Sequence, residues 1–172
     1  KLEQTYVIQK IKPFVGNKRT EITQNPKYYF VDNGFRNQAI RQFSPPDERP
    51  DMGVLVESFV YQELLKFKVQ FFCDMDIHYW RTKSGAEVDF VAYQNEERFL
   101  PIEVKYRRFS EPKITRSFRS FLLAYNPKVA VVITRDLIAE QTFERSVVKF
   151  IPLAELHKIL DVLREIIECQ GR

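Results

Sequence analysis

The sequence predicts an α/β domain built on a mixed central sheet with flanking helices. Two helix candidates, residues 53–67 and 114–125, enclose three strand-length segments that are joined by short turns. The segment VAVVIT at 129–134 is continuously apolar, which is typical of a strand that is buried on both faces of a sheet. Antiparallel hairpins followed by a helical crossover into such a strand give the order α-β-β-β-α-β and a mixed sheet.

The first 43 residues form a separate, strand-rich segment in this interpretation. Strands are predicted at 5–12, 19–23 and 27–31, and a short helix at 35–43. The segment SPPDERP at 44–50 breaks both kinds of structure and marks a module boundary. The main domain is therefore expected to span residues 51–172.

Each element of the main domain has its own signal. The helix at 53–67 has no proline or glycine after its first residue, and the helix at 114–125 ends at Asn126 and Pro127. Turn-forming KSG and QNEE segments separate the three hairpin strands. The predicted strands lie at residues 76–81, 87–93, 99–105, 129–134 and 147–151. Pro152 then opens a last helix that runs to about Cys169.

Composition excludes several classes of protein. With 44% hydrophobic and 29% charged residues among 172, the chain can bury a core and is not expected to be disordered. It contains no GxxxxGK[ST] loop for nucleotide phosphates and no apolar run long enough for a membrane span. Two cysteines without a CxxC pair, together with two histidines, make a zinc site improbable and favour a reduced, cytoplasmic location.

Charge is distributed unevenly along the chain. Residues 51–100 carry 5 basic and 9 acidic side chains, whereas residues 101–150 carry 10 basic and 5 acidic ones. An acidic site beside a basic strip suits a metal-assisted phosphodiester enzyme, although a solvated charged surface explains the pattern equally well. The candidate phosphate contacts are Arg81, Lys83, Arg107, Arg108, Lys113, Arg116 and Arg119.

Two predicted strands carry the candidate catalytic groups. Strand alternation puts Glu87, Asp89 and Val91 on one face of EVDFVAY, and it puts Glu103 and Lys105 on one face of FLPIEVK. If these strands are neighbours, the two carboxylates converge in a hard-oxygen set that suits Mg²⁺. The alternative is that half-exposed strands commonly carry such residues on their polar face.

Glu57 is a third candidate, because it falls on the apolar side of the helix at 53–67. An ionised carboxylate there needs a partner, since unpaired burial costs several kcal/mol. A metal ion, a coordinated water or a basic side chain would each serve.

Together these residues resemble the PD-(D/E)XK nuclease superfamily, which has an α-β-β-β-α-β, restriction-endonuclease-like core. The segments KYYFVDNGFRN, RPDMGVLVESFVYQEL, WRTKSGAEVDF and PIEVK are similar, more narrowly, to a domain of unknown function found C-terminal to the ATPase module of archaeal and bacterial AAA-type ATPases. The similarity extends from about residue 27 to residue 134, and Val88 replaces the proline of the motif name.

The resemblance implies roles for four residues. Asp89 and Glu103 would bind Mg²⁺ or Mn²⁺, Lys105 would assist attack, and Glu57 would complete the site. It also implies a DNA substrate, an ATPase module of the same chain as partner, and ATP use only through that module. Since some members of the superfamily have lost catalysis, a non-catalytic DNA-binding module and a docking appendage of the ATPase stay open.

Overall fold

A computed structural model describes residue 3 and residues 7–16 and 25–169, and it has a mixed α/β architecture. The strands are β1 (Ile8–Ile11), β2 (Lys27–Phe30), β3 (Asp76–Arg81), β4 (Glu87–Asn95), β5 (Arg98–Val104), β6 (Val129–Thr134), β7 (Ala139–Phe143) and β8 (Ser146–Pro152). The α-helices are α1 (Asn33–Ile40), α2 (Met52–Gln70), α3 (Arg116–Tyr125) and α4 (Leu156–Ile166). Two short 3₁₀ turns, Pro46–Glu48 and Leu153–Glu155, precede α2 and α4.

The main sheet has six strands in the order β3-β4-β5-β6-β8-β7. Strands β3, β4 and β5 are antiparallel neighbours, β6 pairs in parallel with β5 and β8, and β7 closes the sheet antiparallel to β8. The predicted mixed sheet with flanking helices is therefore confirmed, and β3 and β6 have the bounds that the sequence predicted. The short edge strand β7 was not predicted, because AEQTF has few apolar residues.

Helices pack on both faces of the sheet and create two hydrophobic cores. One core joins Val60 and Leu64 of α2 and Ile159 of α4 to one face. The other joins Phe118 and Phe121 of α3 to the opposite face. Because β6 contributes to both cores, its continuous apolar sequence is explained by burial on both sides.

The N-terminal segment forms a small second sheet. Strands β1 and β2 pair antiparallel, and Ile11 and Tyr29 are buried in the core that α2 also lines. The predicted strand at 19–23 lies outside the described residues, and the boundary between residues 1–43 and 51–172 stays a prediction.

A disulfide joins Cys73, just after α2, to Cys169, beyond α4, with a Cα–Cα distance of 4.1 Å. The sequence predicted reduced cysteines, and this prediction is wrong for the structure, because two residues 96 positions apart in sequence meet and are joined. They meet because α2 and α4 pack on the same face of the sheet. None of the helices in the described ranges is long and apolar enough to cross a membrane.

Candidate functional site

The candidate site lies where β4 and β5 separate. Their backbone ladder extends to the pair Phe90 and Ile102. The next residue of β4, Asp89, accepts a hydrogen bond through its side chain from the Val104 N–H at 2.7 Å. Strand β5 remains paired with β6 there, since the Lys105 N–H donates to the Ile133 carbonyl at 2.8 Å. A carboxylate thus takes the place of a backbone acceptor at the point of separation.

A bulge in β4 corrects one sequence prediction. Between the pairs His78–Val91 and Trp80–Val88, β4 has one residue more than β3. Val88 therefore packs in the α3 core, as Val91 does, whereas Phe90 packs in the α2 core. Strict alternation, which put Val91 on the face of Glu87 and Asp89 and therefore left Val88 on the other face, is wrong here because an extra residue shifts the pleat. Such bulges commonly re-aim a side chain beside a functional site.

Glu103 is the most buried acidic residue of the site, with only 2% of its side chain exposed. The Thr115 hydroxyl, directly before α3, lies 2.9 and 3.1 Å from its two carboxylate oxygens. Burial of a charged group is tolerable only when partners replace its water, and Thr115 provides part of that replacement.

Lys105 brings the two predicted metal ligands together. Its Nζ lies 3.0 Å from Glu103 Oε1, 3.9 Å from Asp89 Oδ2 and 3.4 Å from the Val104 carbonyl oxygen. Burial alone would lower the pKa of Lys105, but the charges of Asp89 and Glu103 outweigh it and raise the pKa. The ammonium group therefore stays protonated beside both carboxylates.

Glu57 projects from α2 toward Asp89, and two residues of β2 contact its carboxylate. Its Oε1 accepts a hydrogen bond from Lys27 Nζ at 3.1 Å and another from the Tyr29 hydroxyl. Burial and the negative charge of Glu57 both raise the pKa of Tyr29, so this hydroxyl remains a donor. The basic partner that Glu57 required is thus Lys27.

A second ion pair extends this cluster to the neighbouring strand. Glu87 contacts Lys27 Nζ and also accepts from Arg81 Nε at 2.6 Å. Burial would raise the pKa of Glu87, but the hydrogen bonds and charges of Lys27 and Arg81 lower it. Arg81, predicted as a phosphate contact, is paired with Glu87, and 36% of its side chain is exposed.

The remaining basic candidates lie on the surface. Lys83, Arg107, Arg108, Lys113, Arg116 and Arg119 are all exposed. Arg107 lies over the Phe109 ring at 4.7 Å, Arg119 lies over the Phe143 ring at 5.7 Å, and Arg108 makes an exposed ion pair with Asp136 at 3.7 Å. These contacts are weak enough for the guanidinium groups to exchange them for phosphate.

Asp89 has the most unusual electrostatics of the site. Burial, followed by the negative charge of Glu57, raises its pKa to about 7, although Lys105 and the Val104 N–H act in the opposite direction. A cation placed at this carboxylate would favour its ionised form, and perturbed groups of this kind cluster at functional sites.

The residues present fit a Mg²⁺ ion. Among the described residues, no group of three or more His, Cys, Asp and Glu side chains is arranged as a metal cage. Mg²⁺ does not need one, because it usually keeps several waters and takes one or two carboxylates from the protein. Asp89 and Glu103 are the two carboxylates that would hold such an ion, and both lie within 4 Å of Lys105 Nζ, as the Val104 carbonyl does.

A cavity of about 650 Å³ lies elsewhere in the structure. Aromatic side chains including Phe14, Tyr93 and Tyr125 line it, together with Glu96. Its lining includes a single carboxylate, so the carboxylate–lysine cluster is a better candidate for metal-assisted chemistry than this cavity is.

Sequence reasoning missed three contributors to the site: Lys27, Tyr29 and Thr115. Lys27 and Tyr29 lie 30 and 28 positions from Glu57, and Thr115 lies 12 positions from Glu103. Thr115 could have been found from the sequence, because it stands at the N-cap position of α3, where threonine is favoured.

The raised pKa of Asp89 predicts a pH-dependent stability. Because the folded state keeps a proton that the unfolded chain loses above about pH 4, this stabilisation is complete below about pH 4 and is lost as pH rises through about 7. The Asp89→Asn variant has no carboxyl group to titrate at this position, so its stability does not change with pH in this way. Without metal, the melting temperature of the variant should therefore rise relative to that of wild type between about pH 5 and about pH 8. Each kcal/mol of unfolding free energy that wild type loses corresponds to about 2–4 °C.

Thermal unfolding in EDTA measures this difference. Asp161→Asn, at an exposed position on α4, is the matched control and should show a much smaller change with pH. A difference between Asp89→Asn and wild type that is the same at every pH would contradict the assignment.

The fold and the site define a mixed α/β domain with a carboxylate–lysine cluster at the separation of two central strands. The chain belongs to the family described as Domain of unknown function (DUF4143), whose profile matches residues 52–156.

Two curated relatives are the uncharacterized proteins Mb2031c of Mycobacterium bovis and Rv2008c of Mycobacterium tuberculosis. Each is 27% identical over 124 residues, which cover 71% of this chain and 26% of the relative. The chain thus spans about a quarter of the length of these relatives. Among solved structures, a half-complex of Thermococcus gammatolerans McrB AAA+ hexamers with bound McrC gives a TM-score of 0.40 at 16% identity, over 59% of this chain and 28% of that chain.

Proposed function

We propose that this domain hydrolyses DNA phosphodiester bonds with the help of Mg²⁺ or Mn²⁺, as its resemblance to PD-(D/E)XK nucleases implies. The observation that carries the proposal is the position of Lys105, within 3.0 Å of Glu103 and 3.9 Å of Asp89. This supports the proposal because carboxylates that can hold a divalent ion, next to an ammonium group, are groups that metal-assisted phosphodiester cleavage uses.

The roles of the side chains follow from these contacts. Asp89 and Glu103 would hold the divalent ion. When bound, such an ion stabilises charge on the phosphate oxygens and lowers the pKa of water. The protonated Lys105 would stabilise negative charge on the attacking oxygen. Glu57, fixed by Lys27 and Tyr29, would keep negative potential at Asp89 and so favour a cation there.

The exposed basic residues would position the DNA. Arg107, Arg108 and Lys113 belong to the connection that follows β5, and Arg116 and Arg119 lie on α3, whose N-cap contacts Glu103. Phosphate contacts from this connection would therefore place the backbone close to the carboxylates. Such contacts set position and affinity but do not read sequence.

The domain is proposed to work within a longer cytoplasmic protein that contains an AAA-type ATPase module. This rests on the resemblance of the four sequence segments and is compatible with the greater length of the curated relatives. ATP would act only through that module.

A second candidate function is a DNA-binding or docking module that does not cut. The ion pairs favour it, because Lys27, Arg81 and Lys105 already provide three cations for the four carboxylates of the cluster. A structural network of this kind would hold the fold together without a metal ion.

Cleavage assays with the full-length protein distinguish these functions. Supercoiled, linear and single-stranded DNA are incubated with ATP and with Mg²⁺, Mn²⁺, Ca²⁺ or EDTA. We expect cutting in Mg²⁺ or Mn²⁺ and none in Ca²⁺ or EDTA. Binding of DNA without cutting of any form would replace the nuclease proposal by the second candidate.

A further inference from the structure

Thr115 connects the most buried carboxylate of the site with the start of α3. Its Oγ1 lies 2.9 Å from Glu103 Oε1 and 3.1 Å from Oε2, and it also accepts a hydrogen bond from the Phe118 N–H at 3.1 Å. One oxygen therefore serves both as the N-cap of a helix and as a partner of a predicted metal ligand.

These two roles fix the direction of the hydroxyl proton. A threonine hydroxyl has one proton to donate and two lone pairs with which to accept. The Phe118 N–H already donates to the Thr115 oxygen, and an ionised Glu103 carboxylate can accept a hydrogen bond but cannot donate one. The Thr115 proton therefore points at the carboxylate. The β-branched side chain and the helix cap together restrict the rotation of this donor.

Glu103 depends on such a donor because its side chain is only 2% exposed. Its hydrogen-bonding partners are Thr115 and Lys105, the latter at 3.0 Å from Oε1. Lys105 has a flexible stem and also reaches Asp89, whereas Thr115 is fixed to a helix. Thr115 is thus the more rigid of the two constraints on the orientation of the carboxylate.

We propose that Thr115 is a positioning residue that orients Glu103 for divalent metal binding. The inference rests on the proposed function, since it takes Glu103 to be a metal ligand. Thr115 acts through Glu103 alone and has no contact with metal or phosphate in this role. Loss of a partner that orients a ligand commonly weakens metal affinity by about 10–100-fold.

Binding of Mn²⁺ to the full-length protein, measured from the electron paramagnetic resonance signal of free Mn²⁺, tests this role without any need for cleavage. Thr115→Val removes both the donor and the cap, and it should weaken binding by about tenfold or more. Thr115→Ser keeps both and should bind within about twofold of wild type.

Two further variants separate orientation from helix capping and from general stability. Thr115→Gly removes the hydroxyl but costs the cap only a few tenths of a kcal/mol, and it should weaken Mn²⁺ binding as Thr115→Val does. Thr134→Val is the control: Thr134 is also buried, and its hydroxyl bonds to Leu137 outside the site. It should leave Mn²⁺ affinity unchanged, and thermal unfolding of each variant reports its folding.

Each outcome decides something different. If wild type binds Mn²⁺ and Thr115→Gly binds it equally well, the positioning role is wrong while the proposed metal site stands. The same conclusion follows if Thr134→Val weakens binding as much as Thr115→Gly. If wild type binds no Mn²⁺, the proposed metal site fails and the role of Thr115 fails with it.

Discussion

Replacing Asp89 by Asn should abolish metal-dependent DNA cleavage, by about 10³-fold or more, while DNA binding stays within a few-fold of wild type. The substitution preserves the size of the side chain and its ability to accept from the Val104 N–H, but it removes a negative ligand. The fold is therefore expected to persist, since the bond at the separation of β4 and β5 can still form.

Lys105→Ala should behave differently from Asp89→Asn. Removing a donor that stabilises developing charge typically lowers kcat by about 10²–10³-fold. Mn²⁺ binding should not weaken, however, because the ammonium group that competes for Asp89 and Glu103 is lost. The two variants thus separate metal binding from support of the attack.

Rates of plasmid nicking, together with DNA affinity measured in Ca²⁺, provide the required comparison. Asp161→Asn, an exposed α4 carboxylate paired with Arg164, makes the same chemical change far from the cluster and should cut like wild type. Cleavage by Asp89→Asn at the wild-type rate would show that the activity arises from another site or from a contaminating enzyme.

Much of the fold follows from local sequence signals. The bounds of β3 and β6 were predicted because turn residues flank β3, and because β6 is apolar on both faces. The C-terminal end of α3 was predicted from Asn126 and Pro127, and in the structure Asn126 adopts a left-handed cap conformation (φ 47°). These features depend on neighbours within a few residues.

The details of the candidate site depend on contacts between distant parts of the chain. The bulge at β4 arises from its register with β3 and is invisible in the alternation of β4 alone. The sequence indicated that Glu57 needs a partner, but it could not select Lys27, because only the folding of β2 against α2 brings them together. The convergence of Asp89, Glu103 and Lys105 was predicted since the sequence placed all three on consecutive strands, whereas the roles of these residues stay predictions.

Engagement of Arg81 by Glu87 narrows the surface on which DNA is expected to bind. A guanidinium group that neutralises a half-buried carboxylate loses that ion pair when it moves to a phosphate, and Glu87 would then keep Lys27 as its partner. Arg107 and Arg108, which follow β5, can move to a phosphate at lower cost, because they contact the Phe109 ring and the exposed Asp136. Affinity for DNA should therefore depend on Arg107, Arg108 and Arg116 more than on Arg81.

Simultaneous replacement of Arg107, Arg108 and Arg116 by Gln should flatten the salt dependence of DNA binding. Each duplex phosphate neutralised contributes about 0.9 to the slope of log affinity against log salt, so loss of three contacts lowers the slope by about 2.7. Fluorescence anisotropy with a labelled duplex, in Ca²⁺ and over a range of salt concentrations, measures this slope.

The control variant must also remove three positive charges, because the formal net charge of +4 on the chain attracts DNA wherever the charges lie. Lys66, Lys158 and Arg164 suit this purpose, since they are exposed on α2 and α4 and their ion pairs are local; Arg164 also lies over the Phe71 ring at 4.1 Å. Their replacement by Gln should reduce affinity slightly at low salt and leave the slope close to wild type. Equal slopes for the two triple variants would mean that the strip after β5 is a solvated surface, and that DNA, if bound at all, lies elsewhere.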